Sequence, residues 1–264
     1  MKLSFNERVD GDVAAGAKAP AVNGAVAPAA QAATGTAVAV RESKGTAVAV
    51  RGQYEDLVGE IGGEDLILPR INLTQKVGDL GDQFGPGVIV FQKEQVLWKE
   101  GAPALNMVVL RGQKRYQENT EFGSDEMGQV VDTLEEVKAL GGWIDWRDGE
   151  DGKREAPPWA PRLDVICVVE APEGADTSLF PFTFNGKAYA VAVWTLSKSG
   201  FTSAGRTILT ARATHLRDGY LTGLWQVSAA KRQGPKGMYY LPCFRASGKT
   251  PEGMREFLAG VYAG

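Results

Sequence analysis

The sequence from Trp225 to Tyr240 reads WQVSAAKRQGPKGMYY, and it predicts the β-hairpin from which the rest of the fold can be worked out. Residues typical of strands lie on both sides of a turn that contains glycine and proline. We expect one strand from Leu221 to Ala230 and a second from Met238 to Ala246. Between them we expect a mobile loop, residues 231–237, whose three basic side chains form the tip of the hairpin.

Further strands are predicted on the N-terminal side of this hairpin. Each candidate is rich in β-branched or other apolar residues and is bounded by glycine, proline or polar residues. The dipeptide Asn185-Gly186, which follows Phe184, is typical of a two-residue hairpin turn and predicts that the last of these strands begins near Ala188. The predicted strands cover residues 65–73, 87–91, 104–110, 163–169 and 188–196.

Three segments have the apolar spacing of helices. Residues 127–140 carry apolar side chains at helical spacing and end at a pair of glycines, residues 202–216 show a shorter face of the same kind, and Thr250-Pro251 precedes an amphipathic C-terminal segment. Many short strands with few helices indicate an α+β protein that is mainly β. The predicted architecture is a barrel-like sheet that carries the helices.

The chain divides into an N-terminal arm and one folded domain. Residues 9–48 contain no aromatic side chain and consist largely of alanine, valine and glycine, so they bury too little surface to offset the entropy of ordering. We expect a flexible arm over residues 1–52, although its repeated GTAVAVR could instead form two strands of a hairpin. The domain covers residues 53–264 and includes an acidic helical insertion over residues 121–160.

Charge is distributed unevenly along the chain. The 264 residues carry 29 Lys and Arg against 32 Asp and Glu, a formal charge of -3. From Lys187 to Lys249, however, ten basic residues accompany one acidic residue, Asp218, which gives +9. A basic region inside an acidic protein is typical of a surface that holds a polyanion.

Aromatic residues are interleaved with these basic residues, a combination typical of proteins that bind single-stranded nucleic acid. Bases stack on exposed rings while Lys and Arg contact the phosphates. A smaller cluster of the same kind follows the strand over residues 104–110. We expect these side chains to converge on one solvent-facing cleft. The candidate binding residues are Arg111, Lys114, Arg115, Tyr116, Trp194, Lys198, Arg206, Arg212, Trp225, Lys231, Arg232, Lys236, Tyr239, Tyr240, Phe244 and Arg245.

The C-terminal third resembles the single-stranded DNA-binding proteins of tailed bacteriophages that are built on an OB-like barrel. The resemblance rests on the strand from Trp194 to Lys198, the helix start from Phe201 to Arg206, and the strand, basic turn and aromatic strand that end in Pro242 and lead to a final helix. It implies an OB-like domain that binds transiently exposed single strands during phage DNA replication or recombination. The C-terminus is not the acidic tail by which better-known single-strand binders recruit partners.

The sequence does not favour an enzyme. Gly248-Lys249-Thr250 lacks the upstream glycine of a phosphate-binding loop, because Cys243 occupies that position. The one histidine, His215, has no nucleophile close in sequence, and two cysteines are too few for a zinc finger. We therefore expect no cofactor and no metal.

Two other functions stay open from the sequence alone. A virion or tail-associated structural protein would use the alanine-rich arm for assembly, and a nuclease would use acidic pairs such as Asp145 and Asp148 to hold Mg²⁺. No apolar run is long enough to span a membrane and the N-terminus lacks a secretory signal, so we expect a cytoplasmic protein. The expected partner is single-stranded DNA; phage or host replication proteins and a homo-oligomer are left open.

Overall fold

The computed structural model describes residues 67–120, 128–149, 152–235 and 237–263. The predicted arm over residues 1–52 lies outside the described residues. The strands are β1 Ile71–Leu73, β2 Ile89–Phe91, β3 Gln95–Trp98, β4 Leu105–Glu118, β5 Val130–Val131, β6 Arg147–Asp148, β7 Arg154–Glu155, β8 Trp159–Glu170, β9 Phe182–Phe184, β10 Lys187–Ser197, β11 Gly223–Gly234 and β12 Gly237–Lys249. The helices are α1 Asp79–Phe84, α2 Leu134–Ala139, α3 Lys198–Gly200, α4 Arg206–Thr214 and α5 Glu252–Ala263, with a π-helical stretch, Phe201–Gly205, joining α3 to α4.

Most strands belong to one antiparallel sheet. Its order is β12-β11-β4-β8-β10-β9, and β5 pairs with the far end of β4. A smaller sheet has the order β1-β2-β3, and β6 pairs with β7. The turn between β9 and β10 is the predicted one: Asn185 and Gly186 have φ angles of 48° and 73°, both in the left-handed region that such a turn requires.

The main core lies on one face of the large sheet, called here the inner face. The small sheet and the α3–α4 segment pack on this face. Alternation along the strands supplies its side chains, among them Met107 and Val109 of β4, Val165 and Cys167 of β8, and Val227 of β11. The free energy gained by burying this apolar surface fixes the register of every long strand.

The large sheet curls around this core. The ring centroids of Trp194 on β10 and Phe244 on β12 are 5.5 Å apart, although three strands separate β10 from β12 in the sheet. The small sheet lies in the remaining gap. Arg70, just before β1, forms a parallel bridge with Val193 of β10, while the side chain of Gln75, just after β1, bonds to the backbone of β12.

The architecture confirms a mainly β protein with a few helices. The predicted barrel is not found as a closed barrel: within the described part of the chain, β12 and β9 are the two free ends of the ladder. The physical reason is that the small sheet enters between β10 and β12 and meets them through one bridge and one side chain instead of two continuous ladders.

The opposite face of the large sheet, called here the outer face, is covered over only part of its area. Helix α5 places Met254 and Leu258 against the apolar side chains of β4, β8 and β10. The ring of Phe257 stacks on Phe184 with centroids 5.1 Å apart. The rest of the outer face, toward the C-terminal half of β4, is left uncovered by α5 and bears polar side chains.

The predicted helix over residues 127–140 is wrong in its first half. Val130 and Val131 form strand β5 against β4, because their β-branched side chains suit a strand and an unpaired edge is available there. The helix begins after Thr133, whose hydroxyl accepts a hydrogen bond from the N–H of Glu136 while the Glu136 carboxylate accepts one from the N–H of Thr133. This capping box determines where α2 begins, a position that the spacing of apolar residues did not predict.

The predicted mobile loop over residues 231–237 is also wrong. Strand β11 continues through Lys231 and Arg232 to Gly234, which pairs with Gly237, so that the turn contains only two residues. Gly237 has a φ of 117°, a value that other residues rarely adopt, and it allows the chain to reverse at once. The basic side chains at positions 231 and 232 are therefore held in paired strands.

Candidate nucleic-acid interface

The hairpin of β11 and β12 projects beyond the rest of the large sheet. Strand β11 pairs with β4 only from Leu224 to Val227, opposite Val108 to Leu105, where β4 begins. From Ser228 to Gly234 its neighbour in the large sheet is β12 alone. This projecting part of the hairpin, residues 228–243, is called the arm from here on; it is distinct from the predicted N-terminal arm over residues 1–52.

Three of the candidate residues lie on the outer face of the hairpin. Arg232 and Tyr239 are cross-strand partners, and Arg245 lies further along β12 with the same alternation. Both arginines are exposed, and Tyr239 is half-buried with its ring against Gly234. No acidic residue occurs from Gly223 to Lys249 in the sequence, so nothing on the hairpin itself neutralises these charges.

The inner face of the arm carries Lys231 and Tyr240, which are also cross-strand partners. Lys231 is exposed. The Tyr240 ring packs on Gly87 of the small-sheet region so closely that a Cβ at Gly87 would lie 2.5 Å from two ring carbons. The Gln75 side chain accepts a hydrogen bond from the N–H of Tyr240 and donates one to its carbonyl oxygen, each at 3.0 Å. Tyr240 is therefore held at an internal contact, and the residue is half-buried.

Four of the candidate aromatic residues are buried. Trp194, Trp225 and Phe244 lie in the main core with 3%, 1% and 8% of their surface exposed, and the Phe244 ring contacts both tryptophans. Tyr116 is buried in a separate small cluster with Val137 and Trp159. Because these rings have no open face, the prediction that they stack on bases is wrong. Strand alternation places all four on the inner side of the sheet.

The basic candidates of the helical segment divide into two kinds. Lys198 and Arg206 are exposed. Arg212 instead donates hydrogen bonds from Nη1 to the carbonyl oxygens of Leu216 and Arg217, at 3.0 and 3.3 Å, and lies over the Tyr220 ring. Burial raises the pKa of Tyr220, and the nearby Arg212 cation offsets this in part. Arg212 thus closes the end of α4, and Lys236 lies outside the described residues.

The candidates on β4 lie far from the arm. Arg111 and Arg115 are on the outer face, and Arg115 is ten positions along β4 from Leu105, about 30 Å at the rise of an extended strand. Lys114 is on the inner side, where its ammonium lies 5.1 Å from the centroid of the Tyr116 ring. The expectation of one common cleft is therefore wrong, because the candidates on the β11–β12 hairpin, those on the α3–α4 segment and those on β4 lie in different parts of the domain.

The second site is a groove on the uncovered part of the outer face. Strand register places Gln113, Asp164 and Thr195 side by side on β4, β8 and β10, with Arg115 beside Arg162 in the next row. The segment before β1 forms one wall. The residues that line this groove, called the arginine groove, are Ile67, Leu68, Arg70, Arg111, Gln113, Arg115, Arg162, Asp164, Ile166, Val193 and Thr195.

Sequence reasoning missed most of this groove. Arg162 and Asp164 alternate with buried residues at the start of β8, and Thr195 interrupts an apolar strand, so each was visible as a polar position on a predicted strand. Arg70 follows Pro69 at the entry to the small sheet. Their proximity was not visible, because four segments distant in sequence have to be paired before these side chains meet.

Comparison with known proteins gives no relative. No family model, no curated protein and no solved structure matches the chain. Among the described residues, no group of three or more His, Cys, Asp or Glu side chains is placed to hold a metal ion. No helix in that part of the chain is long and apolar enough to cross a membrane.

Proposed function

We propose that this protein binds single-stranded DNA, largely without sequence preference, through the β11–β12 hairpin. The observation that carries the proposal is the outer face of the hairpin, where Arg232 and Tyr239 are cross-strand partners on the projecting part and Arg245 lies on the same face further along β12, with no acidic residue from Gly223 to Lys249. Lys231 adds a positive charge on the inner face of the arm. Arginine and lysine neutralise phosphates, and a half-exposed tyrosine offers a ring on which any base can stack.

A single strand fits this surface better than a duplex. Of the candidate aromatic residues, Tyr239 and Tyr240 are half-buried and the others are buried, and stacking on a ring requires bases that are not paired. The arm is a two-stranded ribbon with basic side chains on both faces, so a flexible strand could contact either face. Discrimination between bases is not expected, since every base has a flat face for stacking.

The proposal includes an OB-like relationship of the domain and a role in phage DNA replication or recombination. The curled antiparallel sheet and the aromatic β11–β12 hairpin support it, together with the resemblance of the C-terminal third to phage single-strand binders. In this proposal the protein acts in the cytoplasm of the host cell, where replicating DNA is exposed. It needs no catalytic group and no cofactor.

The direct test is the fluorescence anisotropy of labelled oligo-dT titrated with the full chain at several salt concentrations. We expect Lys231→Glu with Arg232→Glu to weaken binding and to reduce the slope of log affinity against log salt by about 1.4, since each phosphate contact to a single strand contributes about 0.7. Intrinsic tryptophan fluorescence is a poorer probe, because Trp225, the tryptophan of this hairpin, is 1% exposed.

The matched control is Lys99→Glu, an exposed lysine just after β3 and outside the hairpin. A double control, Lys93→Glu with Lys99→Glu, makes the same change in net charge as the hairpin variant. We expect either control to reduce the affinity far less. If the hairpin variant binds oligo-dT with the affinity of the parent, the hairpin is not the binding surface. The same conclusion follows if the hairpin variant and the double control bind oligo-dT with equal affinity.

A further inference from the structure

The arginine groove is a concave site with an excess of positive charge. Its volume is about 400 Å³, and four arginines and one carboxylate, Asp164, line it. It lies on the outer face beside α5 and on the far part of β4 from the arm. The groove is therefore a site separate from the hairpin.

The one carboxylate of the groove is already bonded. Asp164 Oδ1 accepts hydrogen bonds from Arg162 Nε and from Thr195 Oγ1, both at 2.8 Å. Its Oδ2 lies 3.9 Å from Arg115 Nη1. Asp164 therefore offsets the charge of Arg162 and fixes the orientation of that guanidinium.

The four arginines do not share the same electrostatic surroundings. Arg115 has its principal ion pair with Asp132, from Nε to Oδ1 at 2.8 Å. Arg70 and Arg111 form no ion pair within the part of the chain that the structure describes, and their side chains line the groove from the segment before β1 and from β4. Two arginine charges thus face the groove without a balancing anion among the described residues.

We propose that the arginine groove binds a phosphomonoester, with Arg70 and Arg111 as the residues that hold its phosphate. A guanidinium donates parallel hydrogen bonds to two phosphate oxygens, and two guanidinium charges match the dianion of a monoester better than the single charge of a diester. A phosphate ion fills a small part of 400 Å³, and the groove also has apolar residues, Ile166 and Val193 on its floor and Leu68 in its wall. The ligand is therefore an organic phosphate of the size of a nucleotide.

The test is isothermal titration calorimetry of the full chain with thymidine 5′-monophosphate, with thymidine as the ligand that lacks phosphate. We expect saturable binding of the monophosphate and no binding of thymidine at the same concentration. Arg70→Gln and Arg111→Gln should each weaken binding by roughly 10- to 100-fold, the effect of removing a hydrogen bond to a charged group. Equal binding of thymidine, or no binding of the monophosphate at millimolar concentration, overturns the proposal.

The matched control is Arg217→Gln, which removes an exposed arginine of the loop after α4 with the same change in charge. It should leave binding of the monophosphate unchanged. Each variant is first shown to have the parent's melting temperature. A variant that melts at a lower temperature is replaced by the lysine substitution at the same position. Lysine keeps the positive charge but lacks the two parallel hydrogen bonds of the guanidinium, so this variant should bind the monophosphate several-fold more weakly than the parent. An effect of Arg217→Gln equal to that of Arg111→Gln would contradict a specific groove.

The source of the phosphomonoester is decided with two oligo-dT strands, one carrying a 5′-phosphate and one a 5′-hydroxyl. Tighter binding of the phosphorylated strand, lost in Arg111→Gln, supports the groove as a site for the end of a strand. Equal binding of both strands, with the monophosphate still bound in the groove, supports a free nucleotide or a similar small molecule. Both comparisons are repeated with the Lys231→Glu, Arg232→Glu variant, in which oligo-dT binding is weaker overall but the difference between the two strands should persist if the groove causes it.

Discussion

The ring of Trp194 on β10 lies 5.5 Å from the ring of Phe244 on β12, and Phe244 also meets Trp225 on β11 with centroids 6.0 Å apart. These contacts join strands from opposite parts of the large sheet across the inner core. Aromatic pairs of this kind stabilise the fold beyond the area that they bury. Trp194, Trp225 and Phe244, which were expected from the sequence to stack on bases, therefore stabilise the curl of the large sheet.

Phe244→Ala should lower the free energy of unfolding by about 3–5 kcal/mol, because it removes a buried ring and leaves a cavity next to two tryptophans. Urea denaturation followed by circular dichroism measures this change. Phe244→Leu, which keeps most of the apolar volume, should cost clearly less. Oligo-dT affinity per folded molecule should stay at the parent's value, and a loss of affinity without a loss of stability would contradict the assignment of Phe244 to the core.

Tyr239→Ala and Tyr240→Ala should have different effects. Tyr239 lies on the outer face beside Arg232, so its loss should weaken oligo-dT binding by about 1–3 kcal/mol with little change in stability. Tyr240 packs on Gly87, so its loss should lower the melting temperature first. Anisotropy titrations and thermal melts of both variants check this, with Tyr239→Phe as the control that keeps the ring. A Tyr239→Ala protein that binds normally would exclude Tyr239 as a stacking residue.

Alkylation of the two cysteines should report occupancy of the hairpin without any substitution. Cys167 is buried in the core, which raises the pKa of its thiol far above the usual value, and it should stay unmodified in the folded protein. Cys243 is half-buried on the outer face of the hairpin, next to the Arg245 position, and should react slowly with iodoacetamide. Mass spectrometry should show that oligo-dT slows its modification further. An unchanged rate at saturating oligo-dT would place the strand elsewhere.

Gln75→Ala should loosen the contact between the small sheet and the arm. It removes two hydrogen bonds to the backbone of Tyr240, each worth about 0.5–1.5 kcal/mol in net stability. Hydrogen exchange measured by mass spectrometry should show faster exchange over peptides that contain Tyr240, with peptides of β8 unchanged. Gln75→Glu is informative as a second variant, since its carboxylate can accept from the Tyr240 N–H but cannot donate to the carbonyl oxygen. Equal exchange in parent and variants would show that these bonds do not hold the arm.

Asp164→Asn should lower the free energy of unfolding by about 1–3 kcal/mol. The carboxylate is partly buried and bonds to the guanidinium of Arg162 and the hydroxyl of Thr195, and a neutral amide cannot balance the arginine charge. Urea denaturation compared with Asp218→Asn, an exposed residue of the loop after α4, isolates the effect of the groove. If both variants unfold at the same urea concentration as the parent, the Asp164 bonds contribute nothing to stability.

Local sequence was enough to predict most of the strands and one of the turns. The segments over residues 87–91, 163–169 and 188–196 became strands because β-branched residues and period-two alternation act within a few residues. Asn185-Gly186 formed the expected turn, because both residues tolerate positive φ. The predicted helix over residues 127–140 is wrong in its first half, because the structure of that part depends on pairing with a segment distant in sequence. Val130 and Val131 pair with an edge of β4 that is distant in sequence.

The candidate site was predicted only in part. The basic, aromatic character of the last third could be read directly, and Lys231, Arg232, Tyr239 and Arg245 do lie on one hairpin. The prediction that Trp194, Trp225 and Phe244 face solvent failed, because alternation gives two faces to every strand but does not say which of them will be covered. That choice depends on what packs against the sheet.

The amino-acid sequence by itself determined which segments extend, where the β9–β10 hairpin turns and where positive charge accumulates, since these depend on neighbours within a few residues. Only the tertiary structure decided which face of each strand is buried. It also decided that the sheet curls until Trp194 meets Phe244, and that Arg70 and Arg111 line the same groove. Those outcomes depend on pairing between strands far apart in the chain, and the free energy that selects the pairing comes from burying the whole inner face at once.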